Sequence, residues 1–304
     1  MKTRATALNP HNRFQPIATD READHDWYHD PEDDLNPDTL ATEVVLETAK
    51  SIISRNTSPD VPFDQSINPY RGCEHACIYC FARPTHAYWD MSPGLDFETR
   101  LIAKPNAAAR LREELDRPGY RVSPIALGVN TDAYQPLERD QRITRQVLEV
   151  LAEYRHPVSI ITKGALILRD LDLLREMASD GLCSVRISLT SLSNDLKRRM
   201  EPRTAAPATR LKMIRQLSAA GIPTGIILGP VIPFINDHEI ESILEAAADA
   251  GATAMDKRAM PAAVISFFMV CVSFCFTTLW RRPERSGRRV SAPPAQRRWD
   301  KGRG

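Results

Sequence analysis

Cysteine is scarce in this chain, with six residues in 304. Net charge is scarcer still: the formal value is +1, which argues neither for nor against a polyanionic partner. The opening "MKTRATALNP" has no apolar core segment, so no secretory signal is expected there. Free cysteines without such a signal point to a reducing, cytoplasmic setting. What charge there is lies unevenly. Residues 1–47 hold eleven acids against four Lys or Arg, and residues 256–304 hold eleven Lys or Arg against three acids. Three regions follow: an acidic, mobile or loosely docked extension over 1–50, a core over 51–254, and an atypical tail over 255–304.

The core has a regular rhythm. After a lead-in, "TLATEVVLETAKSIISRN", that suits a short helix or strand, a first strand is expected near Ile67–Gly72. Then "SPIALGVN" (123–130), "PVSIITK" (157–163), "CSVRISLT" (183–190) and "PTGIILGPVI" (223–232) read as apolar strands. Helical patterns fall between and after them, at 143–154, 171–181, 207–221 and 237–251. Gly181, Gly221 and Gly251 sit where helix C-caps belong. Apolar strands alternating with amphipathic helices predict an α/β fold with a parallel sheet buried on both faces. Five βα units close into a full or partial barrel or lie flat as a doubly wound sheet, and either form puts its chemistry at the C-terminal strand ends.

Half of the cysteines crowd into that position. "GCEHACIYC" places Cys73, Cys77 and Cys80 after the first strand, spaced Cys-x3-Cys-x2-Cys. Three is wrong for a closed disulfide framework and one short of a structural zinc site. Soft thiolates suit zinc or iron–sulfur clusters. Three of them can hold three irons of a [4Fe–4S] cube and leave the fourth free for a substrate or cofactor. The other readings are a zinc ion completed by His75 or His86, and three unrelated thiols.

With these residues in view, the chain resembles the radical S-adenosylmethionine (SAM) enzymes. "CEHACIYC" matches their CxxxCxxC motif, including Tyr79 before the last cysteine. The longer "INPYRGCEHACIYCFARPTHAYW" resembles the spore photoproduct lyase-like subgroup. The similarity extends from about Ser51 to Thr253 through "LDFETRLIAKP", "NTDAYQPLE", "HPVSIITKG", "MEPRTAAPATRL" and "PVIPFINDHEIE". The resemblance implies a partial (β/α) TIM-like barrel, here stopping after five units. It implies a [4Fe–4S] cluster on Cys73, Cys77 and Cys80, with SAM on the open iron, and a 5′-deoxyadenosyl radical that removes hydrogen from a substrate. It puts Tyr79 near the adenine, Asn130, Thr131 and Asp132 near the methionine amino group, and Lys163 on the SAM carboxylate. Ser188 falls at the ribose, and Gly229 and Pro230 against the adenine. An electron donor such as a flavodoxin or ferredoxin is the implied partner. The substrate is not named by the sequence, nucleic acid being one candidate. Arg71, Arg83, Arg100 and Lys104 read as a basic rim around the anionic groups of SAM.

Two features depart from the subgroup. Spore photoproduct lyase carries a hydrogen-donating cysteine at the end of its second strand, where this chain has Asn130, and Cys183 begins a different strand. Repair by that route is therefore not expected. After "GATA" (251–254) the pattern of a sixth strand is lost, leaving an edge on the fifth, and "AAVISFFMVCVSFCFTTLW" (262–280) follows. That apolar stretch has the length of a membrane span. It also reads as a substitute packing element, or as translation from a shifted reading frame with its Arg-, Pro- and Ala-rich continuation. The runner-up functions are a metal- or cluster-bearing nucleic-acid-binding protein without radical catalysis, and an inactive remnant.

Overall fold

The computed structural model describes residues 4–6, 8–10, 14, 41–59 and 61–253. The apolar segment 262–280, the tail 255–304 and most of the expected extension lie outside these residues. In chain order the elements are β1 (Glu43–Leu46), β2 (Ile53–Arg55), β3 (Gln65–Ile67), β4 (Tyr70–Arg71), α1 (Asp96–Thr99) and β5 (Arg100–Ala103). There follow α2 (Ala107–Leu115), β6 (Ile125–Leu127), α3 (Glu138–Gln141), α4 (Ile143–Glu153), β7 (Val158–Thr162) and α5 (Leu171–Ser179). The last are β8 (Cys183–Ser188), α6 (Asn194–Met200), α7 (Pro207–Ala219), β9 (Thr224–Ile227) and α8 (Ile240–Asp249).

The main sheet runs β2-β3-β6-β7-β8-β9, with β2 antiparallel to β3 and every other pair parallel. Five parallel strands with helical crossovers make the partial TIM-like barrel that the sequence predicts. Its core follows from the apolar spacing. In α4, Ile143, Val147, Leu148 and Leu151 share one face and are buried beside Ile125, Leu127, Val158 and Ile160. Fully burying each such side chain contributes about 1.5–3 kcal/mol. The three glycines expected at helix ends, Gly181, Gly221 and Gly251, all have positive φ, as C-caps require.

The boundaries differ where proline intervenes. The expected first strand splits at Asn68-Pro69 into β3, in the main sheet, and β4, which joins a separate sheet of order β1-β5-β4. Proline carries no N–H for a ladder, so the strand cannot run through it. For the same reason β9 ends at Ile227, short of Pro230. The lead-in supplies two strands, β1 and β2. Beyond α8, Thr253 donates its N–H to the Thr224 carbonyl at 2.9 Å, a first rung beside β9.

Candidate functional site

The cysteines lie on the loop leaving β4. Gly72, at φ +72°, turns the chain into it, and a Cβ there would meet Leu101 Cδ2 at 2.7 Å and the Phe97 carbonyl at 2.9 Å. Cys73 N–H donates to that same Phe97 carbonyl at 2.9 Å. Gln135, wholly buried, bridges the loop by donating to Gly72 O (3.2 Å) and accepting from Glu74 N–H (2.9 Å). Arg83 folds back so that its Nε donates to Cys77 O at 3.1 Å, while its guanidinium pairs with Glu98, whose side chain is fully buried. From the far side, Ile78 N–H reaches Met200 O at 3.0 Å and Arg203 N–H reaches His75 O at 3.4 Å. An irregular loop is thus fixed by partners from several strand ends.

Cys73 and Cys77 are buried, Cys80 is half-buried, and none is in a disulfide. Burial pushes the Cys73 thiol well up, with Asp132, Cys77 and Cys80 adding to the effect. Burial likewise pushes Cys77 to about 12 against the pull of Lys163, and raises Cys80. Three thiols that feel one another yet do not ionise unaided suit a bound group that brings positive charge and soft acceptor orbitals. An iron–sulfur cluster fits that donor set. Among the described residues no three His, Cys, Asp or Glu side chains are close enough to share one metal ion. The histidines suggested as a fourth zinc ligand are turned to other work: His75 Nδ1 lies 3.2 Å from Asp132 Oδ2, and His86 Nε2 is 2.9 Å from Arg100 O. His86 Nδ1 is buried without a hydrogen-bond partner beside Gly72 and Phe97.

At the strand ends Tyr79, Lys163 and Cys77 come together. Lys163 follows β7, and its ammonium lies 5.9 Å from the Tyr79 ring centroid. Burial alone would lower its pKa, but Cys77 and Glu201 outweigh this and raise it. Among the described residues its ammonium has no hydrogen-bond or ion-pair partner. Tyr79 hydroxyl donates to Glu201, which also accepts from Thr190 at 2.8 Å. Glu201 pairs with Arg210, and Arg210 donates onward to Ser188 O (2.8 Å), Ala205 O (3.0 Å) and Thr204 Oγ1 (2.6 Å). Arg210 holds the carboxyl of Glu201 down at about 2, against a burial that would raise it. Ser188 is buried at the end of β8, and Gly229 O, past β9, accepts from Thr190 at 3.2 Å. Pro230 O accepts from buried Asn236 at 2.9 Å.

The group after β6 is hydrogen-bonded within the protein. Asp132 is consumed by the protein: it accepts from Tyr134 N–H, Thr162 hydroxyl, Lys163 N–H and His75. Burial would raise its pKa, yet His75 and these hydrogen bonds hold it below the usual carboxylate range. Thr131 donates its hydroxyl to Tyr70 O at 2.9 Å, and the Asn130 N–H is held by Asn68 Oδ1 at 2.9 Å. Thr131 and Asp132 thus help to hold the loop together. Each residue of the basic rim has an acceptor within the protein. Arg71 pairs with Glu47 and covers the Trp89 ring, Arg83 with Glu98, Arg100 with Glu43, and Lys104 donates to Asn68 O. Burial draws Lys104 down to about 8, with Arg71 adding to it. Cys183 is buried at the first residue of β8, the opposite end of that strand from Ser188.

Glu201, Arg210 and Gln135 were not marked by sequence reasoning. A signal existed for Arg210: it shares the apolar face of α7 with Met213, Ile214 and Leu217, an i, i+3, i+4, i+7 set where an unpartnered charge does not belong.

Free thiols grouped on one loop, with a lysine beside them, form the candidate site of this α/β-barrel fold. The model of the radical SAM superfamily matches residues 67–247, and the chain belongs to that superfamily. A Mycobacterium tuberculosis protein described only as uncharacterised is 44% identical over 195 residues, covering 64% of this chain and 57% of that protein. The chain thus spans under two thirds of that relative's length. An uncharacterised Methanocaldococcus jannaschii protein is 27% identical over 197 residues, covering 65% of this chain and 71% of the other. Among solved structures, a spore photoproduct lyase variant aligns with TM-score 0.54 at 16% identity, covering 70% of this chain and 59% of that one. Another variant, bound to AdoMet and a dinucleoside spore photoproduct, aligns with TM-score 0.54 at 14% identity, covering 76% and 66%. At such identity the likeness is one of fold. No helix among the described residues is long and apolar enough to cross a membrane.

Proposed function

We propose that this radical SAM family enzyme holds a [4Fe–4S] cluster on Cys73, Cys77 and Cys80 and reductively cleaves SAM. The observation that carries the reading is the placement of three free thiols, two buried and one half-buried, on one loop beside the ammonium of Lys163, which has no acceptor among the described residues. Bound there, the cluster and SAM would supply an electron and a 5′-deoxyadenosyl radical for hydrogen abstraction from a substrate. The chain's own part is placement and exclusion of water. Arg83 and Gln135 fix the loop, Lys163 offers a charge-assisted contact to a carboxylate, and Tyr79 presents a ring held by Glu201. With Asn130 after β6 and Cys183 at the far end of β8, no further described cysteine stands at the strand tops to return a hydrogen atom. The reaction therefore ends differently from one that relies on such a thiol.

Anaerobic reconstitution is expected to give about four irons and four sulfides per chain, and reduction with SAM should then release 5′-deoxyadenosine. Cys73→Ala, Cys77→Ala and Cys80→Ala should each abolish the brown chromophore or leave it unstable, while Cys183→Ala should keep it. One zinc per chain without labile sulfide would overturn the reading.

A further inference from the structure

The first residues of the chain reach the cysteine loop. Arg4 is 7% exposed, an unusual fate for an arginine. Its Nη1 donates to Glu98 O at 2.6 Å and its Nη2 to Thr42 Oγ1 at 2.9 Å. Each contact leads onward. Thr42 donates to Glu74 Oε1 at 2.7 Å, and Glu74 lies directly between Cys73 and Cys77 in the motif. Glu98 pairs with Arg83, whose Nε holds Cys77 O. Ala5 N–H adds a bond to Glu98 Oε2 at 2.9 Å.

The segment continues along 92–96, the loop that Arg83 also grips through Pro93 O and Gly94 O. Leu95 N–H donates to Leu8 O at 3.0 Å, Asn9 exchanges a pair of bonds with Asp96 at 2.8 and 2.9 Å, and Ser92 hydroxyl donates to Pro10 O at 2.8 Å. The fit is close: a Cβ at Gly94 would lie 2.1 Å from Leu8 O and 2.5 Å from Pro10 Cδ. These bonds span more than eighty residues of sequence, so local preference does not explain them.

We propose that residues 4–6 and 8–10 form a strap that holds the cysteine loop in its ligating shape, with Arg4 as a positioning residue acting through Glu98–Arg83 and Thr42–Glu74. The role in cluster retention rests on the three cysteines being cluster ligands; the role in loop shape does not. A strap of this kind keeps the loop closed over its buried thiols, and without it Cys73 and Cys77 meet solvent.

The test uses the full chain and three variants: Arg4→Ala, Asn9→Ala and Gly94→Ala, the last displacing the strap by bulk alone. Arg155→Ala, an exposed position paired with Asp180, is the control. In the metal-free protein, peptide-resolved alkylation should label Cys73 and Cys77 about five- to tenfold faster in the strap variants, with Cys183 unchanged as an internal reference. In the reconstituted protein, bleaching of the chromophore by an iron chelator should accelerate similarly, while the thermal midpoint moves no more than in the control. Arg4→Lys should restore part of the protection. Should Arg4→Ala fail to fold, Asn9→Ala and Gly94→Ala decide alone. Equal labelling of Cys73 and Cys77 in all chains would overturn the strap. If wild type takes up no cluster but the labelling difference holds, the cluster reading fails and the strap stands.

Discussion

Two buried charge networks in this fold are built from the same parts, and only one lies at the strand tops beside the cysteines. Away from the cysteines, Glu138 and Asp170 have fully buried side chains, and Arg169 and Arg145 close around them at 2.6–3.0 Å. Tyr70 hydroxyl and Thr144 N–H take the remaining oxygen of Glu138. Every carboxylate oxygen has a donor, and the network is closed. Beneath the cysteine loop, Glu201 and Arg210 are matched just as well, with Tyr79 and Thr190 as further donors. There, however, a third charge stands apart: Lys163, drawn upward in pKa by Cys77 and Glu201 and without an acceptor of its own among the described residues. A saturated network holds a fold together. The second network leaves one cation, Lys163, without an acceptor among the described residues.

The comparison can be pressed first at its most costly point. Arg210→Met leaves the Glu201 carboxylate, 2% exposed, without its main counter-charge. Breaking a buried pair from one side costs about 3–5 kcal/mol, which denaturant unfolding would detect. A loss under about 1 kcal/mol would mean that Lys163 and the hydroxyls suffice.

Acid titration is the next lever. Glu201 sits at about 2 in the fold against an ordinary 4.5. A depressed carboxyl contributes stability above its unfolded pKa and loses it as pH falls through the folded one. The loss therefore runs from roughly pH 4.5 down to about 2 and amounts to on the order of 3 kcal/mol. In Glu201→Gln this part of the stability–pH curve should flatten. Parallel curves for the two proteins would remove the carboxylate from the explanation.

The smallest effects separate the two networks most sharply. Lys163→Ala should weaken SAM binding by about 1–3 kcal/mol, measured calorimetrically on the reconstituted protein, through loss of one charge-assisted contact. Arg169→Met should lower the unfolding free energy by about 1–3 kcal/mol and leave SAM affinity alone, because Arg145 still faces Asp170 and Tyr70 still faces Glu138. If Arg169→Met also weakened SAM binding, the contrast between closed and open networks would fail.

Much of the frame was legible from local pattern. Strands β6 to β9 and helices α4, α5, α7 and α8 declare themselves by apolar period, and the cysteine spacing marks the candidate site. What escaped was set by distant partners. Charged residues read as solvated when the chain is scanned locally, yet Arg71, Arg83, Arg100 and Lys104 each find an acceptor contributed by another part of the chain. Asp132 follows a strand, as a ligand contact would, but it accepts from His75 in the cysteine loop and from Thr162 and Lys163 at the end of β7. Arg4 belongs to a stretch with no apolar period, and nothing within the stretch announces Glu98 as its acceptor. The zinc alternative could be weighed only once His75 and His86 had visible partners. Glu114 gives the clearest case: it shares a face of α2 with Leu111 and Leu115, a conflict resolved when its carboxylate accepts from Ile52 and Ile53 N–H at the start of β2.

The loop braces also set a timetable. The ribosome releases the cysteines early, whereas their holders come later: Asp132 and Gln135, then Met200 and Arg203, with Arg210 lying 130 residues past Cys80. At about 5–20 residues per second, synthesis of that interval takes roughly ten seconds. Throughout it the three thiols belong to a nascent chain with an unbraced loop, open to oxidants and to stray metal. The cysteine loop therefore stays without its full set of braces until Arg210 has been made, well after its own sequence.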